Sequence, residues 1–185
     1  MKVVSEKDYQ VVAEVLKQPG AVAVLRTDTL YGLVARAADE AAVARVYELK
    51  NRDPNKSCII LVPTATDAYD HVDELESDVE IYGEVPTSFL ISAESAPSWL
   101  KRTNELLAYR IPNIDWLKQL LVQTGPLIAP SANPESLTPA ATIDEAMSYF
   151  GDQVDCYVDG GAVPADTPPS RLLRIYPDGT QERLR

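Results

Sequence analysis

The feature that most constrains the fold is a series of short apolar runs, each only five or six residues long. They lie at 21–26, 58–62, 88–92, 106–110, 126–130, 154–158 and 171–176. Apolar runs of this length, bounded by turn residues, are typical of buried strands, whereas helices need ten or more residues. The sequence therefore predicts a multi-stranded sheet through the core of the molecule.

Segments with helical periodicity and helix end signals separate several of these runs. Ser5 can begin a helix over 5–17, and Asp39 can cap a helix that reaches about Lys50. Three further helices are predicted: from Thr66 into 67–80, from Asn113 to Gly125, and from the Thr142–Glu145 capping box to Gly151.

The order of these elements distinguishes between two architectures. Strands and helices alternate, but not in strict strand–helix–strand order, and a turn at 177–180 (PDGT) predicts a closing hairpin. This order favours a single α/β (α+β) domain over 1–185, with a mixed sheet and flanking helices, rather than a doubly wound fold. The sequence contains neither a GxGxxG nor a GxxxxGKS phosphate loop.

Charge limits the classes of partner. The chain has 17 Lys and Arg against 28 Asp and Glu, which gives a net charge of −11. Binding to nucleic acid by bulk charge depends on Lys and Arg that release phosphate counterions, so this balance argues against it. The same balance argues against an anionic membrane surface. It still allows a small basic site within an acidic molecule.

One segment concentrates positive charge in this acidic chain. Lys50, Arg52 and Lys56 lie within seven residues, between a predicted helix and a predicted strand. Three cations in this arrangement can cradle a polyphosphate, because Arg offers a planar fork and Lys a movable point charge. The alternative is a solvated loop, since basic residues favour helix C-termini through the helix dipole.

The residues that most often hold metals or perform nucleophilic catalysis are scarce. Cys58 and Cys156 lie far apart and outside any CxxC pair, and His71 is the single histidine. We therefore predict no metal site in the protein and no His-based triad. The longest apolar runs are too short to cross a bilayer, so a soluble cytoplasmic protein without a membrane partner is expected.

Two loops place small polar side chains directly after predicted strands, a common position for ligand sites. In 27–33 (TDTLYGL), Thr27, Thr29 and Tyr31 can hydrogen-bond a small polar substrate. In the segment 130–133 (PSAN), Ser131 and Asn133 can hold a phosphate, a carboxylate or a base edge. Either loop can also be an ordinary turn.

Taken together and in order, these segments resemble the YrdC-like family. Five motifs match its pattern: 27–33 (TDTLYGL), 50–52 (KNR), 108–112 (AYRIP), 131–133 (SAN) and 159–161 (DGG), followed by Pro169-Ser170. The resemblance runs from about residue 5 to residue 185. It implies a YrdC-like domain with a concave ligand cleft.

The resemblance also implies a reaction, that of the family's bacterial short form, threonylcarbamoyl-AMP synthase. L-Threonine and bicarbonate form N-carboxythreonine, which attacks the α-phosphate of ATP and releases pyrophosphate, with Mg²⁺ as the usual companion. A separate transferase complex then modifies the tRNA adenosine next to the anticodon. Direct binding of tRNA to this acidic chain is expected to be weak or absent.

By the same resemblance, the matched residues receive roles. Lys50 and Arg52 are expected to be catalytic. The nucleotide is expected to contact Lys56, Arg110, Ser131, Asn133 and Ser170. Threonine is expected to contact Thr27, Thr29 and Tyr31.

The chain departs from the family pattern at several loop positions. Arg26 stands where the family usually has Pro, Glu84-Val85 loses a glycine, Glu135-Ser136 replaces Ser-Gly, and Arg171 replaces Thr. These departures motivate an alternative, a divergent protein that binds a nucleotide or RNA without synthase turnover.

Overall fold

The computed structural model describes residues 2–70, 75–76, 85–101 and 105–185. These residues form one ten-stranded sheet in the order β1-β8-β2-β3-β7-β4-β6-β5-β9-β10. The strands are β1 Lys2–Ser5, β2 Ala23–Arg26, β3 Tyr31–Arg36, β4 Ile59–Leu61, β5 Thr87–Ser92, β6 Leu106–Arg110, β7 Leu127–Ile128, β8 Cys156–Asp159, β9 Arg171–Ile175 and β10 Gln181–Arg183.

The sheet is mixed, as the order of the predicted elements indicated. Strand β8 pairs in parallel with β1 and β2, and parallel pairs also join β4 to β6 and β5 to β9. Hairpins join β2 to β3 and β9 to β10 in antiparallel register. The predicted α/β class with a mixed sheet is therefore confirmed.

Helices cover both faces of the sheet. The bounds of the four main helices are α1 Tyr9–Leu16, α2 Glu40–Lys50, α3 Asp115–Thr124 and α4 Ile143–Phe150. On one face, α1 and α3 pack on the strand side chains that include Ala23 and Leu25. On the other face, α2 and α4 pack on the alternate side chains, such as Val24. Two buried faces explain why the strands are apolar almost throughout.

Helix ends follow the sequence signals in most places. The Asp39 side chain accepts a hydrogen bond from Ala42 N–H, and the Thr142 side chain accepts one from Glu145 N–H, so both caps are confirmed. Asn113 was wrongly predicted as a cap, because the N-cap of α3 is Ile114 and makes no side-chain bond. Gly125 lies at the end of α3, as predicted.

Three segments differ from the predictions. The first residues of the predicted helix 5–17 form a 3₁₀ turn, Glu6–Asp8, which Ser5 caps after the strand β1. The predicted loop 27–33 is shorter, since β3 begins at Tyr31 and pairs with β2. The predicted helix from Thr66 into 67–80 begins as a 3₁₀ turn, Ala65–Asp67, capped by Thr64, and residues 75–76 are helical. Most of 67–80, with His71, lies outside the described residues.

Within the part of the chain that the structure describes, we find no helix that combines the length and the apolar character needed to cross a membrane.

Candidate functional site

A cleft of about 520 Å³ opens between the β2–β3 hairpin, the start of β4, the ends of β6 and β7, and the start of β9. This volume lies within the range of small-molecule sites. Thr27, Arg52, Arg110, Ser131 and Ser170 are among its lining residues. The topology brings these residues together, because β3, β7, β4 and β6 are consecutive neighbours in the sheet and the β2–β3 turn directly precedes β3.

Arg110 ends β6 and is almost fully buried at the cleft. Its Nη2 lies 3.1 Å from Asp28 Oδ1, an ion pair whose side chains are 4% and 6% exposed. Its two Nη atoms donate hydrogen bonds of 3.3 Å to the hydroxyls of Thr29 and Thr27, and its Nε has no partner. This guanidinium therefore keeps donor capacity beside the cleft.

The hydroxyl turn between β2 and β3 is organised internally. The Thr27 hydroxyl donates to the carbonyl of Leu30 at 2.8 Å and lies 3.1 Å from the Thr29 hydroxyl. Thr29 N–H donates to the Thr27 hydroxyl oxygen at 3.2 Å. Both hydroxyls are thus fixed within the cleft wall, next to Arg110.

Tyr31 is fully buried, and its atoms form part of the cleft wall. Its hydroxyl donates to the carbonyl of Gly161 at 2.8 Å and accepts from the N–H of Gly160 at 3.1 Å. Burial raises the pKa of this hydroxyl, so Tyr31 is neutral near pH 7. Tyr31 therefore connects the cleft to the 159–161 (DGG) segment behind it.

The three cations of the basic segment have different surroundings. Arg52 lines the cleft, and its guanidinium donates to the carbonyls of Lys56 and Ser57. Lys56 is exposed and its Nζ is paired with Glu135, outside the set of residues that line the cleft. The Lys56 contact lowers the pKa of the Glu135 carboxyl, with help from the N–H of Asp53.

Lys50 is only 2% exposed and also lies outside the lining. Its Nζ donates to the carbonyls of Ser131 and Asn133 and lies 3.4 Å from Asn133 Oδ1. Burial lowers the pKa of Lys50 to about 8, and the charge of Arg52 acts in the same direction. The lysine ties the end of α2 to the loop after β7.

The loop after β7 takes its shape from Asn133. Its Oδ1 accepts from the Ser131 hydroxyl at 2.6 Å, and its Nδ2 donates to the carbonyls of Pro134 and Leu137. Asn133 is buried away from the cleft, whereas Ser131 lines it and forms a bridge with Gly32 of β3. Within this pair, Ser131 is therefore the residue that faces a ligand.

The opposite wall belongs to the C-terminal hairpin. The buried Ser170 hydroxyl lies 2.9 Å from the Ser88 hydroxyl. Arg185 donates from Nε to the Ser170 carbonyl at 3.0 Å, and it lines the cleft. Burial lowers the pKa of the Arg110 guanidinium; Asp28 opposes this shift and Arg185 adds to it. Two guanidiniums that line one cleft and repel each other favour the binding of an anion there.

The lining is positive as a whole. Among the described residues that line the cleft, three are arginines and none has a carboxylate side chain. The described residues also contain no group of three His, Cys, Asp or Glu suited to a metal ion. The site can hold a polyanion by charge and small polar groups by the hydroxyls around it.

Most predicted site residues converge on this cleft. It is lined by Thr27, Thr29, Tyr31, Arg52, Arg110, Ser131 and Ser170. Lys50 and Asn133 lie behind the wall formed by Ser131, and Lys56 lies at the surface. Two residues of the site were not predicted from the sequence. Asp28, the ion-pair partner of Arg110, lies within a matched motif but received no role. Arg185 also lines the cleft, and the scarcity of basic residues was its only signal.

Comparison with known proteins adds relatives at the level of sequence. The family model for Sua5, YciO and YrdC proteins, described as telomere recombination, matches residues 14–185. A protein of Pseudoalteromonas atlantica named threonylcarbamoyl-AMP synthase is 30% identical over 161 residues, which cover 83% of this chain and 85% of that protein. A putative threonylcarbamoyl-AMP synthase of Methanocaldococcus jannaschii is 29% identical, over 94% of this chain and 85% of the relative.

Solved structures share the fold at lower identity. The structure of P. abyssi Sua5 complexed with L-threonine superimposes with a TM-score of 0.87 at 23% identity and covers all of this chain. The chain spans only 57% of that archaeal protein. E. coli YciO superimposes with a TM-score of 0.82 at 18% identity, over 100% of this chain and 93% of its own.

Proposed function

The chain belongs to the Sua5/YciO/YrdC family, and on that premise we propose that it is a threonylcarbamoyl-AMP synthase. It would form threonylcarbamoyl-AMP and pyrophosphate from L-threonine, bicarbonate and ATP, as an L-threonylcarbamoyladenylate synthase within the nucleotidyltransferases. Relatives that carry the synthase name support this assignment at 27–30% identity.

One observation carries the proposal: three arginines line a cleft free of carboxylate side chains among its described residues, in a chain with a net charge of −11. Placing three of the chain's 17 basic residues around one cavity has a cost in like-charge repulsion. That repulsion is relieved when a polyanion such as ATP enters. The hydroxyls of Thr27 and Thr29, which are bonded to Arg110, suit a small amino acid held next to the anion.

The chemistry requires positioning and charge neutralisation rather than a protein nucleophile. A carboxylate oxygen of N-carboxythreonine attacks the α-phosphorus of ATP. The bond between that phosphorus and the bridging oxygen to the β-phosphate breaks, and pyrophosphate leaves. Arg52 and Arg110 would neutralise the charge that develops on the phosphate oxygens, with Ser131 and Ser170 holding the nucleotide.

The remaining predicted residues would not contact the reacting phosphate directly. Lys50 and Asn133 would hold the segment that presents Ser131, because both are bonded to that segment rather than directed into the cleft. Lys56 would reach the phosphates only after leaving Glu135. Thr27, Thr29 and Tyr31 would form the threonine end.

Mg²⁺ would enter with ATP, as part of the substrate. The donor set of the cleft agrees with this assignment, since the polar side chains of its described lining are arginines and hydroxyls, and Mg²⁺ prefers carboxylate and phosphate oxygens. When bound, the ion neutralises charge on the leaving pyrophosphate.

The deciding experiment measures pyrophosphate release from ATP, Mg²⁺ and bicarbonate, with and without L-threonine. We expect release only with threonine, and detection of threonylcarbamoyl-AMP as the second product. Pyrophosphate release that does not depend on threonine, or no release at all, would contradict the proposal. Calorimetry that detects ATP binding without turnover would instead identify a divergent nucleotide-binding protein.

A matched pair of variants locates the activity. Arg52→Ala removes a cleft cation, so we expect turnover to fall about a hundredfold while Tm stays nearly unchanged. Arg45→Ala is the control, because Arg45 is also partly exposed and also bonds backbone carbonyls, but lies outside the lining. A large loss of stability in Arg52→Ala would mean that Arg52 is structural.

The proposed product implies a partner, a tRNA threonylcarbamoyl transferase complex in the cytoplasm. Direct contact of this chain with tRNA is expected to be weak or absent. A gel shift with tRNA over a salt series tests this expectation, since binding by a basic face would weaken steeply as salt rises.

A further inference from the structure

Arg26 connects the cleft hairpin to the 159–161 segment. It is the last residue of β2 and lies opposite Tyr31 in the hairpin register. Its Nη1 donates to the carbonyl of Gly160 at 2.7 Å, although 134 residues separate the two along the chain. The Arg26 side chain thus fixes Gly160, in the segment to which Tyr31 is also hydrogen-bonded.

Two hydrogen bonds of the Tyr31 hydroxyl join Tyr31 to the same segment that Arg26 contacts. Its hydroxyl accepts from Gly160 N–H and donates to the Gly161 carbonyl. Gly160 is therefore held from two sides, by Arg26 at its carbonyl and by Tyr31 at its N–H. Since the Tyr31 side chain forms part of the cleft wall, the position of this segment sets the position of that wall.

Packing around Gly160 leaves little freedom. A Cβ on this residue would clash with Glu6 Oε1 and would lie 2.8 Å from Arg26 Cβ. The next residue, Gly161, has φ +76°, a conformation that favours glycine. The charged groups that face this point are Glu6, Arg26 and Asp159. Of these three groups, Arg26 is the positively charged one, and the other two are carboxylates.

We propose that Arg26 is a positioning residue that fixes Tyr31 at the threonine end of the cleft by holding Gly160. This inference rests on the proposed function. Arg26 acts through Tyr31 and does not itself line the cleft.

Steady-state kinetics separate this role from a general structural one. In Arg26→Ala we expect the KM for threonine to rise about tenfold, with kcat and the KM for ATP within about twofold of wild type. Arg26→Lys keeps a donor and a charge, so it should recover most of the threonine KM. Arg45→Ala is the matched control, since Arg45 also donates to distant carbonyls; its threonine KM should stay unchanged.

A second measurement tests the Arg26–Gly160 contact without relying on enzyme activity. Amide exchange at Gly160, followed by NMR, should accelerate in Arg26→Ala and in Tyr31→Phe, but not in Arg45→Ala. The double variant Arg26→Ala/Tyr31→Phe should have a threonine KM no higher than Tyr31→Phe alone, because both act through one segment.

The outcomes are distinguishable. Unchanged exchange at Gly160 in Arg26→Ala, or an unchanged threonine KM, would overturn the positioning role. Additive effects in the double variant, or an equal rise in Arg45→Ala, would overturn it as well. A wild-type protein without threonine-dependent release would contradict the proposed function, and the exchange experiment alone would then decide whether Arg26 fixes Tyr31.

Discussion

The end of helix α2 and the end of strand β6 each bury one cation, and the two cations differ in what surrounds them. Lys50 directs its ammonium at the backbone oxygens of Ser131 and Asn133. Arg110 faces the cleft with an unpartnered Nε, long hydrogen bonds to two threonines and one carboxylate, Asp28. Burial is nearly equal, at 2% and 4% exposure.

The role of a buried charged side chain is therefore indicated by its hydrogen-bond partners more than by how deeply it is buried. A cation whose donors are used by backbone carbonyls and a neighbouring side chain holds the fold together. A cation with donors left over beside a cavity is available to a ligand, because an unsatisfied buried donor is costly until something binds it. Four experiments test whether Lys50 and Arg110 have these different roles.

The largest effect is expected at the ligand-facing cation. Arg110→Met should reduce turnover at least about a hundredfold and should also destabilise the fold by about 3 to 5 kcal/mol, since Asp28 is left as an uncompensated buried charge. The double variant Arg110→Met/Asp28→Asn should regain most of the stability but none of the turnover. Urea unfolding and pyrophosphate release measure the two effects. Recovery of turnover in the double variant would contradict the comparison.

At the backbone-facing cation, the main expected effect is on stability. Lys50→Met leaves two backbone carbonyls without their donor, so the free energy of unfolding should fall by about 3 kcal/mol. The folded fraction should keep kcat within about tenfold of wild type, because Lys50 lies outside the cleft lining. The exposed Lys17→Met serves as the control in urea unfolding. A hundredfold loss of kcat in a stable variant would make Lys50 catalytic instead.

The depressed pKa of Lys50 gives a third test. Its pKa is lowered from 10.5 to about 8 by burial. Between these values the unfolded chain binds more protons than the folded one, so the free energy of unfolding should rise with pH. The gain is at most about 3 kcal/mol and should be absent in Lys50→Met. The difference between the two proteins, measured from pH 7.5 to 10, isolates Lys50 from the other lysines and tyrosines.

The smallest effect is expected at the surface, where Lys56 pairs with Glu135. Glu135→Gln releases Lys56 toward the phosphates, so the KM for ATP should fall by about twofold to threefold. The effect should disappear at high salt, which screens exposed charges. A rise in the KM for ATP would show that the pair holds the cleft open rather than occupying Lys56. Asp53→Asn, a nearby change of charge, is the control.

Much of the fold could be predicted because short apolar runs bounded by turn residues have few other uses. Strand β6 has the bounds that its sequence indicated, and the closing hairpin follows its turn. Strand β1 was missed because Lys2–Ser5 has only four residues and is a mostly exposed strand at the edge of the sheet. Strand β3 was missed because hydroxyl and glycine residues at its start are typical of a loop.

The site could be predicted only in part. The order of motifs brought the right segments together, but the direction of each side chain depends on tertiary packing. Lys50 and Arg52 are two residues apart, yet one is directed at the backbone behind the cleft and the other lines it. The turn at Asn51, with φ 48°, separates them. The contribution of Arg185 depends on the docking of a hairpin on β5, which no local pattern reveals.

The place of β8 in the sheet has a consequence for how the protein is made. Strands β1 and β2 pair with Cys156–Asp159, which follows β2 by about 130 residues. A ribosome needs on the order of ten seconds to add that length. Throughout that interval the apolar 21–36 hairpin lacks its parallel partner, and long-range parallel pairing is slow to form. The yield of active protein should therefore depend on whether the apolar surface of this hairpin is protected from aggregation while the chain is still being synthesised.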